Sequence, residues 1–140
     1  MPVIGCSIKS IIAEKKKPVV DMMDINSVAR VTSVEEKEID LVGKQSTLLI
    51  GFEFETSYKP EIGNFKYIGD LIYTAKNEKD ILKSWKKDKA LPVKIDIEIK
   101  NFLLKKCLTL GIDLADELQL PPPVVFPAIV PTDDKTKYIG

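Results

Sequence analysis

The 140-residue sequence contains no histidine, a single arginine and two cysteines. Histidine is the commonest general base and a common metal ligand, so its absence removes the usual basis for acid–base catalysis and for a zinc site. Two cysteines, Cys6 and Cys107, cannot build a four-ligand zinc site, and we expect both to be reduced, with a redox pair as the alternative. No phosphate-binding, dinucleotide-binding or nucleophile-elbow motif is present. The sequence therefore predicts no enzyme, no cofactor and no metal.

The chain also lacks an excess of either charge and any long apolar run. Lys and Arg total 21 and Asp and Glu total 21, so the net charge is zero, whereas nucleic-acid-binding proteins are usually basic. Four lysines cluster at Lys83, Lys86, Lys87 and Lys89, but with Arg30 as the lone arginine we favour a solvated helix face. No segment approaches the ~18 apolar residues of a membrane span. We expect a cytoplasmic protein that neither binds nucleic acid nor inserts into membranes.

What the sequence does contain is a series of alternating apolar and polar residues in its first half. In residues 47–58 the even-numbered positions from Ile50 to Tyr58 share one apolar face, which is typical of a half-buried strand. Residues 3–16 are compatible with either a strand or a helix. Residues 43–46 are predicted to form a turn, and residues 59–64 another. The predicted strands are 8–16, 25–39, 47–58 and 65–75.

The period changes to that of a helix after residue 76. Residues 77–89 predict a short helix with Trp85 on its apolar side, and 93–118 a long one. The long helix carries an apolar stripe at Ile95, Ile99, Leu103, Cys107, Leu110, Leu114 and Leu118. Prolines at 121–123 end the helix, because proline lacks the amide donor and clashes with the preceding turn. Residues 120–127, here called the strap, combine four prolines with four apolar residues.

These elements predict an α+β fold: a four-stranded antiparallel β-meander with a short and a long helix packed on one face. We expect one domain over residues 1–131 and a flexible polar tail over 132–140. The apolar strap either covers this core or binds a partner, since exposed apolar patches usually mark an interaction surface.

The order of the elements resembles that of the bacterial export chaperone SecB family. Four predicted strands, the long helix and then Leu120-Pro121, Val124-Val125 and Pro127 stand where that family has its sheet, its principal helix and its crossover strap. The resemblance implies an SecB-like homotetramer, a dimer of dimers in which edge strands join sheets. It also implies an ATP-independent holdase for unfolded polypeptides or preproteins, which in that family serves protein export.

By this resemblance, apolar strap residues would line a client-binding groove. The expected client-binding residues are Val124, Val125, Phe126 and Ile129, followed by Leu120, Phe65, Tyr67 and Trp85. Two alternatives remain at the level of sequence. In one, the protein is a small oligomeric adaptor with a single dedicated protein partner. In the other, the strap only covers the sheet.

Overall fold

A computed structural model describes residues 3–40, 44–131 and 136–139, with side chains described over 3–38 and 47–131. Four strands form one antiparallel sheet, two helices follow, and a two-stranded hairpin ends the chain. The strands are β1 (Val3–Lys15), β2 (Asp24–Asp40), β3 (Lys44–Lys59), β4 (Gly63–Tyr73), β5 (Ala128–Pro131) and β6 (Thr136–Ile139); the helices are α1 (Glu78–Asp88) and α2 (Val93–Glu117). The predicted α+β fold, with a four-stranded antiparallel sheet and two helices, is confirmed.

The sheet is not the simple meander that we predicted, because its strand order is β1-β4-β3-β2. Strands β2, β3 and β4 do follow one another as hairpins, but β1 lies beside β4, with Val3 opposite Tyr73. The segment between β1 and β2 contains Pro18 and carries the chain to the far edge. Residues 3–15 are strand rather than helix. The two most apolar strands, β3 and β4, thereby occupy the centre, and β1 and β2 form the edges.

The buried face of the sheet follows directly from the alternation in β3 and β4. Phe52 and Phe54 in β3, and Phe65 and Tyr67 in β4, have no exposed surface. The rings of Phe54 and Tyr67 stack at 6.1 Å between centroids, and those of Tyr58 and Phe65 meet edge-on at 5.5 Å. Such aromatic pairs add to the stability that apolar burial provides. This face is the one that both helices cover.

Helix α2 packs on the sheet along a line of residues spaced by four. They are Ile95, Ile99, Leu103, Cys107, Gly111 and Ala115. A step of four residues advances about 40° around the helix, so the contact line turns as it crosses the twisted sheet. The predicted stripe was therefore right as far as Cys107; beyond it Leu110, Leu114 and Leu118 are only partly buried. Near the other end, the Tyr73 hydroxyl donates a hydrogen bond to Glu98 at 3.1 Å.

Helix α1 is amphipathic, and its apolar side faces the same core. Ile81 is fully buried and Trp85 is partly buried against the core. The Lys89 ammonium lies 5.9 Å from the Trp85 ring centroid, within range of a cation–π contact. Lys83, Lys86 and Lys87 are exposed, which agrees with a solvated helix face.

A left-handed residue ends α2 and directs the strap. Gln119 has φ 55°, its N–H bonds the Asp116 carbonyl at 3.2 Å, and the Leu120 N–H bonds the Ala115 carbonyl at 2.8 Å. This pair of hydrogen bonds is the Schellman motif, which turns the chain sharply at a helix C-terminus. The turn places Leu120, only 5% exposed, in the core.

Two further predictions near the loops differ from the structure. The predicted turn at 43–46 is displaced, since β3 already begins at Lys44, while Gly43 lies outside the described residues. The tail predicted to be loose contains β6, which pairs with β5 from Ala128↔Ile139 to Pro131↔Thr136. The polar composition of the tail concealed this strand, because a hairpin needs only backbone groups to pair. Within the described part of the chain, no helix is long and apolar enough to cross a membrane.

Candidate functional site

The strap begins at a point that is firmly attached to the sheet. The buried hydroxyl of Tyr58, at the end of β3, donates a hydrogen bond to the Pro121 carbonyl at 2.5 Å. Burial raises the pKa of Tyr58 to about 12, so this hydroxyl keeps its proton at any physiological pH. The Lys15 ammonium approaches the Gln119 carbonyl at 3.5 Å from β1. The base of the strap is therefore fixed by contacts from both β1 and β3.

The strap then runs back along α2, and Pro123 packs against the helix at Gly111. A Cβ atom at Gly111 would lie 3.2 Å from Cγ of Pro123 and 3.4 Å from the Tyr67 hydroxyl oxygen. Glycine costs a helix interior about 1 kcal/mol relative to alanine. Here it lets the Pro123 ring approach the helix surface more closely than a side chain would allow. The proline-rich half of the strap is thus packed on α2.

Beyond Pro123 the strap presents apolar side chains to solvent. Val125 is 84% exposed, Phe126 51% and Ile129, at the start of β5, 57%. Val124 is half-buried. Exposed aliphatic and aromatic side chains placed this close together are unusual unless they contact a partner.

A groove runs along α2 beside these residues. One cleft of about 650 Å³ lies between β1 and α2, and is lined by Ile8, Phe102, Lys105, Lys106, Thr109, Leu110 and Asp113. A second, of about 250 Å³, lies beneath the strap and is lined by Ile112, Asp113, Asp116, Leu120, Pro122 and Phe126. Asp113 lines both clefts, which are therefore neighbours along α2 and are here together called the groove. Its floor is apolar and its rim carries charge.

The eight residues predicted to bind clients fall into three groups. Val124, Val125, Phe126 and Ile129 lie at or near the surface, and Phe126 lines the groove. Leu120 lines the second cleft but is almost wholly buried, and Trp85 packs on the core from α1 without lining either cleft. Phe65 and Tyr67 have no exposed surface, because α2 covers them. We therefore build the site from the first group and the groove.

Three apolar residues of the first cleft were not among the predicted site residues: Ile8, Phe102 and Leu110. Phe102 and Leu110 belong to the broad apolar side of α2, which is wider than the sheet alone can cover. Ile8 lies opposite Gly69, on the side of β1 that faces the helices. Sequence periodicity identifies these residues as apolar, but it does not show that strand and helix leave a gap between them.

The two cysteines lie where β1 meets α2, close to the groove. Both are free thiols; Cys6 is half-buried and Cys107 fully buried. Burial raises the pKa of Cys107 to about 12 and also raises that of Cys6. Since the thiolate is the reactive form, these cysteines act as small apolar side chains rather than as nucleophiles.

The opposite face of the sheet has a different character, because its charges are paired. Glu53 forms ion pairs with Lys66 at 3.2 Å and with Arg30 at 3.7 Å, and Lys9 pairs with Asp70 at 2.6 Å. Exposed Ile68 is 40% accessible between these groups. Ion pairs therefore interrupt the apolar surface of this face around Ile68.

No protein-family model matches the sequence, and no curated protein matches it. A solved structure that is similar is that of the Mycobacterium tuberculosis Rv1957 SecB-like chaperone in complex with a ChAD peptide from the Rv1956 HigA1 antitoxin. The alignment covers 93% of this chain and 91% of that chain, with 10% sequence identity and a TM-score of 0.45. At this identity, no individual residue's role carries over to the present chain.

Removing the hydroxyl group of Tyr67 and that of Tyr58 is expected to change the free energy of unfolding in opposite directions. Among the described side chains, the Tyr67 hydroxyl is buried without a hydrogen-bond partner, so Tyr67→Phe should raise the free energy of unfolding by about 1 kcal/mol. Tyr58→Phe should lower it by about 1 kcal/mol, because the Pro121 carbonyl loses its donor. Urea denaturation of the two variants and the wild type measures both changes. Equal effects of the two substitutions would contradict this assignment.

Proposed function

We propose that this protein is an ATP-independent holdase that binds unfolded or partly folded polypeptides along the groove and the exposed end of the strap. The observation that carries the proposal is the exposure of Val125 and Phe126 on a strap whose base is anchored through Tyr58. An anchored strap holds its apolar side chains in water instead of letting them collapse onto the core. A surface of this kind is ready to receive an apolar segment.

The physics of such a surface favours promiscuous binding. Burial of apolar area contributes about 25 cal/mol per Å² and has no directional requirement, so many sequences can supply it. Prolines at 121–123 and at Pro127 restrict the backbone, so less conformational entropy is lost when a client binds. Backbone pairing can add to the interaction, since β1 and β2 are the edges of the sheet.

On the basis of the SecB resemblance of the sequence, the proposal also covers the oligomeric state, the cellular compartment and the clients. We place the protein in the cytoplasm as a homotetramer, a dimer of dimers joined through sheet edges, with preproteins destined for export among its clients. The outer edges of β1 and β2 have no neighbouring strand in the described sheet, which supports edge-to-edge pairing between subunits. No catalytic step is part of the proposal.

A dilution experiment tests the holdase. A chemically unfolded client is diluted into buffer without ATP, with and without this protein, and its aggregation is followed by light scattering. We expect suppression at near-stoichiometric amounts. No suppression at several-fold excess, by protein shown to be folded by circular dichroism, would overturn the proposal.

The limited length of the groove favours a second candidate, an adaptor with one dedicated protein partner. From Phe102 to Asp116 the lining of α2 spans 14 residues, or about 21 Å of helix. An extended segment of only about six residues covers that distance. An adaptor would retain one partner in co-purification and would leave the aggregation of unrelated clients unchanged.

A further inference from the structure

We propose that the groove selects polypeptide segments by the charges that flank their apolar core: an acidic residue at one end and a basic residue at the other. This inference rests on the proposed function, because it specifies which segments the groove binds. It follows from the positions of four charged side chains around the apolar floor.

The basic and acidic charges lie at opposite ends of one stretch of α2 that lines the first cleft. Lys105 and Lys106 begin this stretch and Asp113 ends it, and Asp116 continues the acidic side into the second cleft. Eight residues of helix separate Lys105 from Asp113, which corresponds to about 12 Å. An extended chain rises about 3.3 Å per residue, so the two ends are about four residues of client apart. Between them on α2 lies Leu110, and Phe102, about one turn before the lysines, completes the apolar lining together with Ile8 on β1.

These four charges have no partner of their own within the part of the chain that the structure describes. All four side chains are exposed, and none takes part in an ion pair. One turn earlier on the same helix, Lys100 does pair with Asp96 at 3.0 Å. The Thr109 hydroxyl on the rim is already bound to the Lys105 carbonyl at 2.6 Å. The charges that remain for a ligand are therefore the lysines and the aspartates.

The acidic residues at the C-terminal end of α2 also interact unfavourably with the helix dipole. The C-terminal end of a helix carries partial negative charge and is stabilised by cations. The last turn of α2 has no basic residue, and it contains Asp116 and Glu117. Carboxylates at this end weaken the helix in the free protein. A basic residue of a bound segment would neutralise both the carboxylates and the helix terminus.

Three labelled peptides test the proposal by fluorescence anisotropy. They share one apolar core and carry, four residues apart, either one Asp and one Lys, two Asp, or two Lys. We expect the Asp/Lys peptide to bind about fivefold more tightly than the other two at low salt, because two exposed ion pairs form. The difference should shrink as salt screens these pairs.

A charge-reversal variant gives the sharper result. In Lys105→Glu with Lys106→Glu the groove becomes acidic at both ends, so preference should switch to the two-Lys peptide. The control, Lys86→Glu with Lys87→Glu, makes the same charge change on the exposed face of α1 and should leave the wild-type order unchanged.

The outcomes separate this inference from the proposed function. Equal binding of all three peptides, or the same order in the groove variant as in the wild type, overturns charge selection while the holdase stands. Failure of all three peptides to bind a protein that still suppresses aggregation also overturns charge selection. Failure in both assays overturns the holdase and the charge selection together.

Discussion

Replacing Val125 and Phe126 by aspartate is expected to abolish suppression of client aggregation while leaving the fold intact. The two side chains are 84% and 51% exposed, so the substitution should lower the free energy of unfolding by only about 1 kcal/mol, mainly through the buried half of the Phe126 ring. Binding, by contrast, loses the apolar area of both side chains and acquires two charges that a client would have to desolvate. Light scattering and urea denaturation of the same preparation measure the two effects.

The matched control introduces the same two charges on another exposed apolar site. Val20 and Met22 are 47% and 89% exposed in the loop that joins β1 to β2. Val20→Asp with Met22→Asp should suppress aggregation as well as the wild type does. Loss of suppression in both double variants would show that net charge, rather than the strap, governs activity. Full activity of the strap variant would remove the strap from the client-binding site.

The Gly69→Ala variant is expected to lose about 2–3 kcal/mol of stability, because the added methyl group meets backbone atoms. A Cβ at Gly69 would lie 2.2 Å from the Ser7 carbonyl oxygen and 2.9 Å from Cα of Ile8. Both belong to β1, where the register shifts between Ile8 and Ser10. Backbone atoms in a paired strand cannot rotate away as a side chain can, so β1 must move. Chemical denaturation measures the loss.

This substitution should also weaken client binding, since a shift of β1 displaces Ile8 from the groove. Gly5→Ala is the control on the edge strand. A Cβ at Gly5 would meet only the Cδ1 atom of Ile72, at 3.7 Å, which is ordinary contact. We expect its stability within about 0.5 kcal/mol of the wild type. Equal stability of the two variants would mean that β1 does not pair closely with β4 at Gly69.

The sequence was sufficient to predict which residues of the central strands share a face. In Ile50–Tyr58 successive side chains point to opposite faces of the sheet because a strand has a two-residue period, and this holds whichever strands lie beside it. The position of β1 beside β4 could not be predicted in this way. The pairing of β1 with β4 joins residues that are 48 to 70 apart in sequence, from Lys15 and Gly63 to Val3 and Tyr73, and local periodicity contains no information about such distant contacts.

The same limit explains why only some of the predicted site residues line the groove. The strap could be predicted from the sequence because its prolines cannot continue a helix and its remaining residues are all apolar. Phe65 and Tyr67 were expected in the groove on the basis of the family resemblance, but periodicity does not tell which face of the sheet a helix covers. The groove residues Ile8 and Phe102 depend on how far α2 stands from the edge strand. That separation is set by packing along the whole helix.

The placement of β1 beside β4 also determines when the protein can fold during synthesis. Every partner of β1 lies between Gly63 and Tyr73, so the first strand has nothing to pair with until that segment has been made. At about 5–20 residues per second, the ribosome takes several seconds to add the intervening chain. Such long-range pairing also slows folding relative to local contacts. During this interval the nascent chain exposes an unpaired strand rich in isoleucine, and so presents the kind of segment that we propose the finished protein binds.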